Sequence, residues 1–370
     1  MIRILVFGMT ENPGGVESFL LSYYRNIDTN KIQFDFLCNT KGRVAHEDEL
    51  HKRGAIIYHI TPRRESRTKF YSELETLFKE RHNEWAAIWV NVCSLANIDY
   101  LIVAKKYGVP RRIIHSHNSQ NMDGFIRGVL HSINRLRVGR YATDFWACSE
   151  GAAMWFYGSD FPKEVVTIKN AIEVEKFCFS PEKRSEIRKK YGLRNEVVIG
   201  NVGRLHFQKN QEFAVKVFSE YNKANKDSYL VLVGQGEDEG KLRALVDHYG
   251  LRENVVFAGI QSDIQGWLSS FDVFLFPSRF EGLAIAALEA QANGLPVLAS
   301  SGVIPDELKI NQNCLFMRLD ENVSQWADSL NDLVIQGRED FFSIKCAFSR
   351  AGYDIKKEVE TIEKFFLGMK

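Results

Sequence analysis

Two glutamates, Glu281 and Glu289, bracket the start of an Ala/Leu-rich stretch, FEGLAIAALEAQANGLP, over residues 280–296. A short apolar strand at 273–276 leads into a loop with Pro277, Ser278 and Gly282, and the pattern then predicts a helix running to Gly294 and Pro296. At a helical rise of about 1.5 Å per residue the two carboxylates stand ~12 Å apart, the reach from a hexose across a diphosphate to a ribose. The backbone N–H groups of Gly282, Leu283 and Ala284 would lie between them at the positive end of the helix, where phosphate oxygens are favoured. In GRLHFQKN, residues 203–210, Arg204 offers a planar fork and Lys209 a compact ammonium. Together they suffice to neutralise a diphosphate without a metal, and the sequence holds no Asp-x-Asp pair. Taken singly, each of these residues is equally a solvated loop or helix position. Their joint occurrence carries the ligand reading.

The remaining candidates fall at the ends of other apolar runs. GMTENPGGVE, residues 8–17, joins a strand to a helix, and Gly14 and Gly15 would let an anionic ligand approach the backbone. At the end of a strand, IIHSHNS carries His115, His117 and Asn118. Alternation puts both histidines on one face, with His117 beyond the strand's end and within reach of a cleft. No Cys or carboxylate stands at ligand spacing from them, which leaves polar contact to a sugar or acceptor and a structural role as the two readings. VGQGEDEG, residues 233–240, lacks the spacing of a dinucleotide fingerprint, and the following strand ends in Ala258-Gly259 rather than a ribose-binding acid. A redox cofactor is not expected. Gly234 and Gly236 instead suit a loop closing over a nucleotide, with Gly259, Ile260 and Gln261 meeting the base through their backbone.

Arg127, Arg135, Arg137 and Arg140 occur with no acid between Gly124 and Tyr141, while Ile126, Val129, Leu130 and Ile133 follow helical spacing. One reading is a basic amphipathic helix on an anionic membrane surface, or one guiding an anionic lipid-linked substrate, with Arg63, Arg64, Arg67, Lys69, Arg111 and Arg112 extending the patch. The other is a core helix with a solvated basic face. Nucleic acid is not expected, because net charge is only +1 and no aromatic-interleaved basic motif occurs.

The elements that must position these residues follow from length and alternation. A chain of 370 residues, 45% hydrophobic and 26% charged, should form two soluble domains of ordinary size. Apolar runs at 2–7, 34–38, 56–60, 87–92, 112–115 and 144–148 alternate with helical patterns at 16–26, 69–81, 98–106 and 124–140. The second half repeats this with strands at 197–202, 229–233, 255–257, 273–276 and 296–299. The reading is α/β, two Rossmann-like doubly wound parallel sheets, over residues 1–170 and 171–352, with ligands where the carboxyl ends of the strands face each other across a cleft. The six cysteines form no CxxC pair, the first residues read as a strand rather than a signal peptide, and no apolar run is long enough to span a membrane. These point to the cytoplasm, with attachment to the inner face of the cell membrane left open.

Taken in order, GGVE at 14–17, HSHN at 115–118, GRLHFQKN at 203–210, LVGQGEDEGKL at 232–242 and FEGLAIAALEAQANGLP at 280–296 resemble the retaining GT-B glycosyltransferases of family 4. The likeness is to bacterial enzymes that assemble capsular and extracellular polysaccharides. It implies an acceptor-binding N-terminal domain, joined by a final helix at about 353–366, and a donor-binding C-terminal one. By this resemblance Glu281 would bind hydroxyls of the donor sugar, Glu289 the ribose, and Arg204 and Lys209 the diphosphate of a nucleotide sugar, most often UDP-linked. Gly203 would belong to the same donor loop, Gly15 would approach the phosphates, His117 would lie beside the transferred sugar, and Arg127 would serve the acceptor, a glycan or lipid-linked saccharide. The resemblance implies neither cofactor nor metal. Ala284 and Ala286-Ala287 depart from the commoner EGLPIVLLE, which leaves the donor sugar open. A sugar-nucleotide epimerase of the same fold and a non-catalytic sugar-nucleotide-binding subunit stand as the alternatives.

Overall fold

The computed structural model describes residues 1–12, 14–118, 124–281 and 284–368. They form two compact units, one of Met1–Ala171 with Ile355–Lys370, the other of Ile172–Asp354. In the first, the chain runs β1 (Ile2–Phe7), α1 (Gly15–Asn26), β2 (Ile32–Cys38), α2 (Glu47–Lys52), β3 (Ile57–His59), α3 (Arg67–Arg81), β4 (Ala87–Val92) and α4 (Asp99–Lys106). It continues through β5 (Arg111–Ser116), α5 (Phe125–Arg135), β6 (Asp144–Ala147), α6 (Glu150–Tyr157) and β7 (Val165–Thr167). The second unit holds α7 (Pro181–Lys190), β8 (Val197–Val202), α8 (Gln211–Ala224), β9 (Ser228–Val233), α9 (Glu239–His248), β10 (Val255–Gly259) and α10 (Ile264–Ser270). Then follow β11 (Val273–Phe276), α11 (Ile285–Ala292), β12 (Val297–Ser300), β13 (Cys314–Met317), α12 (Val323–Gln336) and α13 (Phe341–Ala351). A last helix, α14 (Ile355–Leu367), returns to the first unit.

Among the described residues the strands pair in parallel, in the order β3-β2-β1-β4-β5-β6-β7 in the first unit and β10-β9-β8-β11-β12-β13 in the second, with one isolated antiparallel bridge from Gly234 to Gly259. Helical crossovers cover such sheets, so central strands are apolar throughout rather than alternating. Strand β2 is buried along its whole length. Its Asp35 carboxylate accepts from Arg3 Nε at 2.8 Å, Trp85 Nε1 at 3.1 Å and the Ile56 N–H at 3.0 Å, which offsets the cost of burying a charge. In each sheet the chain starts near the middle and then winds both ways. The crossovers therefore part between β1 and β4 in the first sheet and between β8 and β11 in the second, and ligands bind at such points, outside the carboxyl ends of the strands.

The alternation seen in the sequence matches this order, with two short edge strands, β7 and β13, added. Helix α5 is shorter than its pattern suggested. It ends at Arg135, and a separate 3₁₀ turn at Val138–Arg140 follows, where Gly139 weakens continued helix. Helix α11 is held at its C-terminal end by Arg338, whose guanidinium donates to the carbonyls of Asn293 at 3.0 Å, Leu268 at 2.9 Å and Phe271 at 2.6 Å. A cation at a helix C-terminus is favoured by the dipole. Burial still lowers the pKa of this arginine to about 9.

Helix α14 seals the first unit. Ile355, Val359, Ile362 and Phe366 recur at helical spacing and enter the core formed by α1, β2 and Trp89. The fully buried Phe366 ring stands 6.1 Å from both Phe34 and Trp89. Phe366→Ala is expected to destabilise this unit by about 3–5 kcal/mol, read as a lower urea midpoint. A midpoint within error of the wild type would show that α14 only rests on the sheet.

Candidate functional site

At the point where the second sheet's crossovers part, the loops after β8 and β11 are tied to each other. Asn210 Nδ2 donates to the Pro277 carbonyl at 3.0 Å, Gln208 Nε2 to the Phe280 carbonyl at 3.0 Å, and the Arg279 N–H to the Gln208 carbonyl at 2.8 Å. Asn210 itself adopts the left-handed conformation, with φ of 54°, which asparagine tolerates better than most residues. Between these ties Lys209 Nζ reaches both oxygens of Glu281, at 2.8 and 2.9 Å, and lies 5.0 Å over the Phe276 ring. The Glu281 side chain is 5% exposed and that of Lys209 20%, so this is a nearly buried, two-pronged, charge-assisted contact. The structure thus joins two residues that the sequence reading assigned to different parts of a ligand, Lys209 to the diphosphate and Glu281 to the donor sugar.

The other predicted donor residues surround this pair. Arg204 is exposed and its Nη2 lies 2.9 Å from Glu237, a residue of the loop after β9 that sequence reasoning did not single out. His206 Nε2 stands 3.4 Å from the same carboxylate. The backbone N–H of Glu237, with Arg204 and His206, holds that carboxyl below its ordinary range. Gly234 and Gly236 have a packing role: a Cβ on Gly234 would fall 2.1 Å from the Gly203 carbonyl oxygen, and one on Gly236 2.2 Å from that of Leu205. The loops after β8 and β9 therefore meet backbone to backbone. Gly259 accepts from the Gly234 N–H at 2.8 Å, and Ile260 beside it is exposed.

Helix α11 begins at Ile285, later than the sequence suggested, after Ala284 in the left-handed region with φ of 43°. Gly282 and Leu283 lie outside the described residues. Only part of the stretch from Glu281 to Glu289 is helical, so the ~12 Å separation derived from helical rise does not carry over. Among the described residues no side chain caps α11, whose first N–H groups, as in any helix, have no intrahelical partners. Glu289 lies in the helix's second turn; its carbonyl accepts the Asn293 N–H at 3.0 Å, while its carboxyl has no hydrogen bond or ion pair among the described residues. Burial pushes its carboxyl up to about 7, against a weaker opposing pull from Lys176.

In the first unit, Gly14 precedes α1 and Gly15 opens it, with no side chain capping that helix either. Glu17 folds back to accept the Thr10 hydroxyl, and its carboxylate comes within 2.8 Å of where a Gly14 Cβ would be. His117 follows β5, donates Nε2–H to Asn91 Oδ1 at 2.9 Å, and packs edge-on against Phe19 at 4.7 Å. Its Nδ1 is buried without a partner, and burial lowers its pKa to about 3, a neutral imidazole.

The expectation for His115 as an acceptor contact is corrected. It does share a face with His117, at 4.1 Å between rings, but it lies within β5 whereas His117 follows the strand's end. His115 is fully buried, stacked on Trp89 and edge-on to Phe19 and Trp146, with both ring nitrogens unpartnered. Asn118 is buried, and its carbonyl accepts the Ser116 hydroxyl at 3.3 Å. Arg127 is exposed on α5. Three of the arginines expected to extend a basic patch are committed elsewhere: Arg63 to Asp99 at 3.3 Å, Arg111 to Asp144, and Arg112 to the carbonyls of Tyr141 and Val109. Among the described residues no group of three or more His, Cys, Asp or Glu is placed to hold a metal ion, and no helix is long and apolar enough to cross a membrane.

The raised pKa of Glu289 has a definite sign. An unfolded glutamate titrates near 4.3 and the folded one near 7, so the folded state carries no penalty below the first value and the full penalty above the second. Glu289→Gln should therefore match the wild type in stability near pH 4 and exceed it by on the order of 2 kcal/mol at about pH 8. Urea unfolding across that range decides it; a gap independent of pH would show that the carboxyl is not held up by burial.

Residues 183–340 match the family model for glycosyl transferases group 1. A Bacillus subtilis (strain 168) protein, EpsF, whose name gives it as a glycosyltransferase, is 29% identical over 94% of this chain and 92% of its own length. The Escherichia coli UDP-Gal:alpha-D-GlcNAc-diphosphoundecaprenol alpha-1,3-galactosyltransferase is 37% identical over 38% of this chain and 37% of its own length. Among solved structures, Anabaena Alr3699/HepE in complex with UDP and glucose superposes with a TM-score of 0.75 at 18% identity, over all of both chains.

Proposed function

The chain is a glycosyltransferase with the GT-B fold, and from that premise we propose that it moves a hexose or N-acetylhexosamine from a UDP-sugar to a glycan or lipid-linked saccharide. The observation that carries this reading is the Lys209–Glu281 pair at the parting of the β8 and β11 crossovers. An ammonium has three N–H groups; two engage Glu281 and the third is left for a phosphate oxygen. Glu281 in this reading aims Lys209 and accepts from hydroxyls of the donor sugar. Arg204 leaves Glu237 to share the diphosphate's charge, and Glu289 receives the ribose hydroxyls. Gly15 serves the phosphates and His117 the acceptor side.

Transfer proceeds with retention and without a metal. The bond from the anomeric carbon to the diphosphate oxygen breaks as the acceptor oxygen bonds to the same face. The acceptor's proton passes to the departing phosphate oxygen, while Arg204 and Lys209 hold the charge that develops there. The UDP of the solved neighbour and the UDP-Gal and diphosphoundecaprenol in the E. coli relative's name support this choice of donor and acceptor class. The proposed setting is bacterial surface polysaccharide assembly, capsular or extracellular, at the inner face of the cell membrane.

Thermal shift against UDP, GDP and their common sugars, with and without EDTA, tests the donor site, because a ligand that binds only the native state raises its apparent stability. Stabilisation by UDP and its sugars, unchanged by EDTA, is expected; stabilisation by GDP alone would overturn the donor assignment. Lys209→Gln and Glu281→Gln each leave the other charge of the pair without its partner, so circular dichroism first establishes that each variant is folded, and each should lower kcat/KM by ~100-fold or more. Either variant, folded and turning over at the wild-type rate, would remove its residue from the mechanism.

A further inference from the structure

Helix α5 is inverted. Its buried side is polar: His131 Nδ1 accepts from the Leu95 N–H at 3.1 Å, Asn134 Nδ2 donates to the Leu95 carbonyl at 2.7 Å, and the His131 ring lies 4.4 Å from Trp155. Its outward side is apolar. Phe125 is 86% exposed, Ile126 75% and the capping Leu136 83%, with Val129, Leu130 and Ile133 between them also exposed. At about 100° per residue these six cover roughly 140° of arc; His131 lies opposite its middle and Asn134 about 40° beyond its edge. A helix packed by the hydrophobic effect would present the reverse. Two side-chain bonds to one backbone residue fix the orientation, so the apolar arc is held in the solvent by design of the polar side.

We infer that this arc is an in-plane docking surface for an anionic lipid bilayer. An exposed apolar patch of this kind marks an interaction site, and the charges beside it name the partner. Arg127, Arg135, Arg137 and Arg140 are all exposed, and no acid occurs from Gly124 to Arg140. A second copy of the chain would bring these like charges together, which disfavours self-association through the arc. A bilayer with anionic headgroups takes the apolar side chains at the acyl boundary and the arginines at the headgroups. Trp155 on α6 adjoins the arc, and a hollow of about 370 Å³ opens between Phe125, Val129, Arg135 and Trp155. Tryptophan at that level suits the interface between acyl chains and water. The inference deepens the proposed function, since it rests on that reading for its purpose, the delivery of a lipid-linked acceptor, while the surface itself stands on α5.

Flotation of the full chain with vesicles tests it, comparing phosphatidylcholine alone with phosphatidylcholine containing about a third phosphatidylglycerol. The wild type should float with the anionic vesicles, at least ~10-fold more than with the neutral ones, and less at high salt. Ile126→Ser with Ile133→Ser, and separately Arg135→Gln with Arg137→Gln, should each cut flotation by ~10-fold or more. These side chains are exposed, so circular dichroism should show the fold intact. The surface is overturned if the wild type stays unbound, if folded variants float as it does, or if the variants lose only a self-associated species in gel filtration. Stabilisation by UDP, measured on the same samples, reads the donor site separately: its loss in the wild type would sink the donor assignment and leave a positive flotation result standing.

Discussion

The Lys209–Glu281 contact sets the geometry on which the rest of the second unit's site depends. Each partner is costly to bury alone, and each is tolerated because the other lies within 3 Å with both carboxylate oxygens engaged. The pair sits between loops whose backbones are already stitched by Gln208, Asn210 and Arg279. Its charge is therefore held by the sheet rather than by a mobile side chain. Preorganisation of this kind lets a cation meet developing negative charge without first reorganising.

A second layer keeps the neighbours in place. The loops after β8 and β9 touch through carbonyl oxygens where only glycine leaves room, and that contact puts Glu237 beside Arg204. At the far end of α11, Arg338 gathers carbonyls from two helices and so fixes the helix that carries Glu289. Between its ends α11 is buried against the sheet and held by the Gln291 amide, which donates to the Leu308 carbonyl at 2.8 Å. Ala284, in a backbone region that costs an alanine on the order of 1 kcal/mol or more, starts the helix where a regular turn would not. Strain at one end and a cationic clasp at the other define a helix with little freedom to shift.

Much of this was legible in the residues, and what was not had a physical reason. Parallel strands covered on both faces leave long apolar runs between helical patterns, so β1, β4, β8 and β11 stood out, whereas β7 and β13 are too short and too near the sheet edges to do so. The loop residues Arg204, Lys209 and Glu281 could be picked from their types and order. That Lys209 and Glu281 meet could not, because they are 72 residues apart and joined only by the sheet's winding. Alternation placed His115 and His117 on one face but does not say which face is interior. The period of α5 revealed an apolar stripe without its direction, since periodicity carries no sign; that sign came from His131 and Asn134 finding partners at Leu95.

The return of α14 bears on the order in which the molecule is made. The first unit's sheet is complete by Thr167, yet four of its core side chains arrive from residues 355–366, after all of the second unit. A ribosome adding roughly 5–20 residues per second leaves that core open for on the order of 10–40 s, with the faces of Phe34 and Trp89 uncovered. The second unit has no such debt to later sequence and can close as soon as Asp354 emerges. Completion of the first unit's core thus waits on synthesis of the whole second unit, and the interval in which nascent chains expose apolar surface is a property of the topology rather than of any single residue.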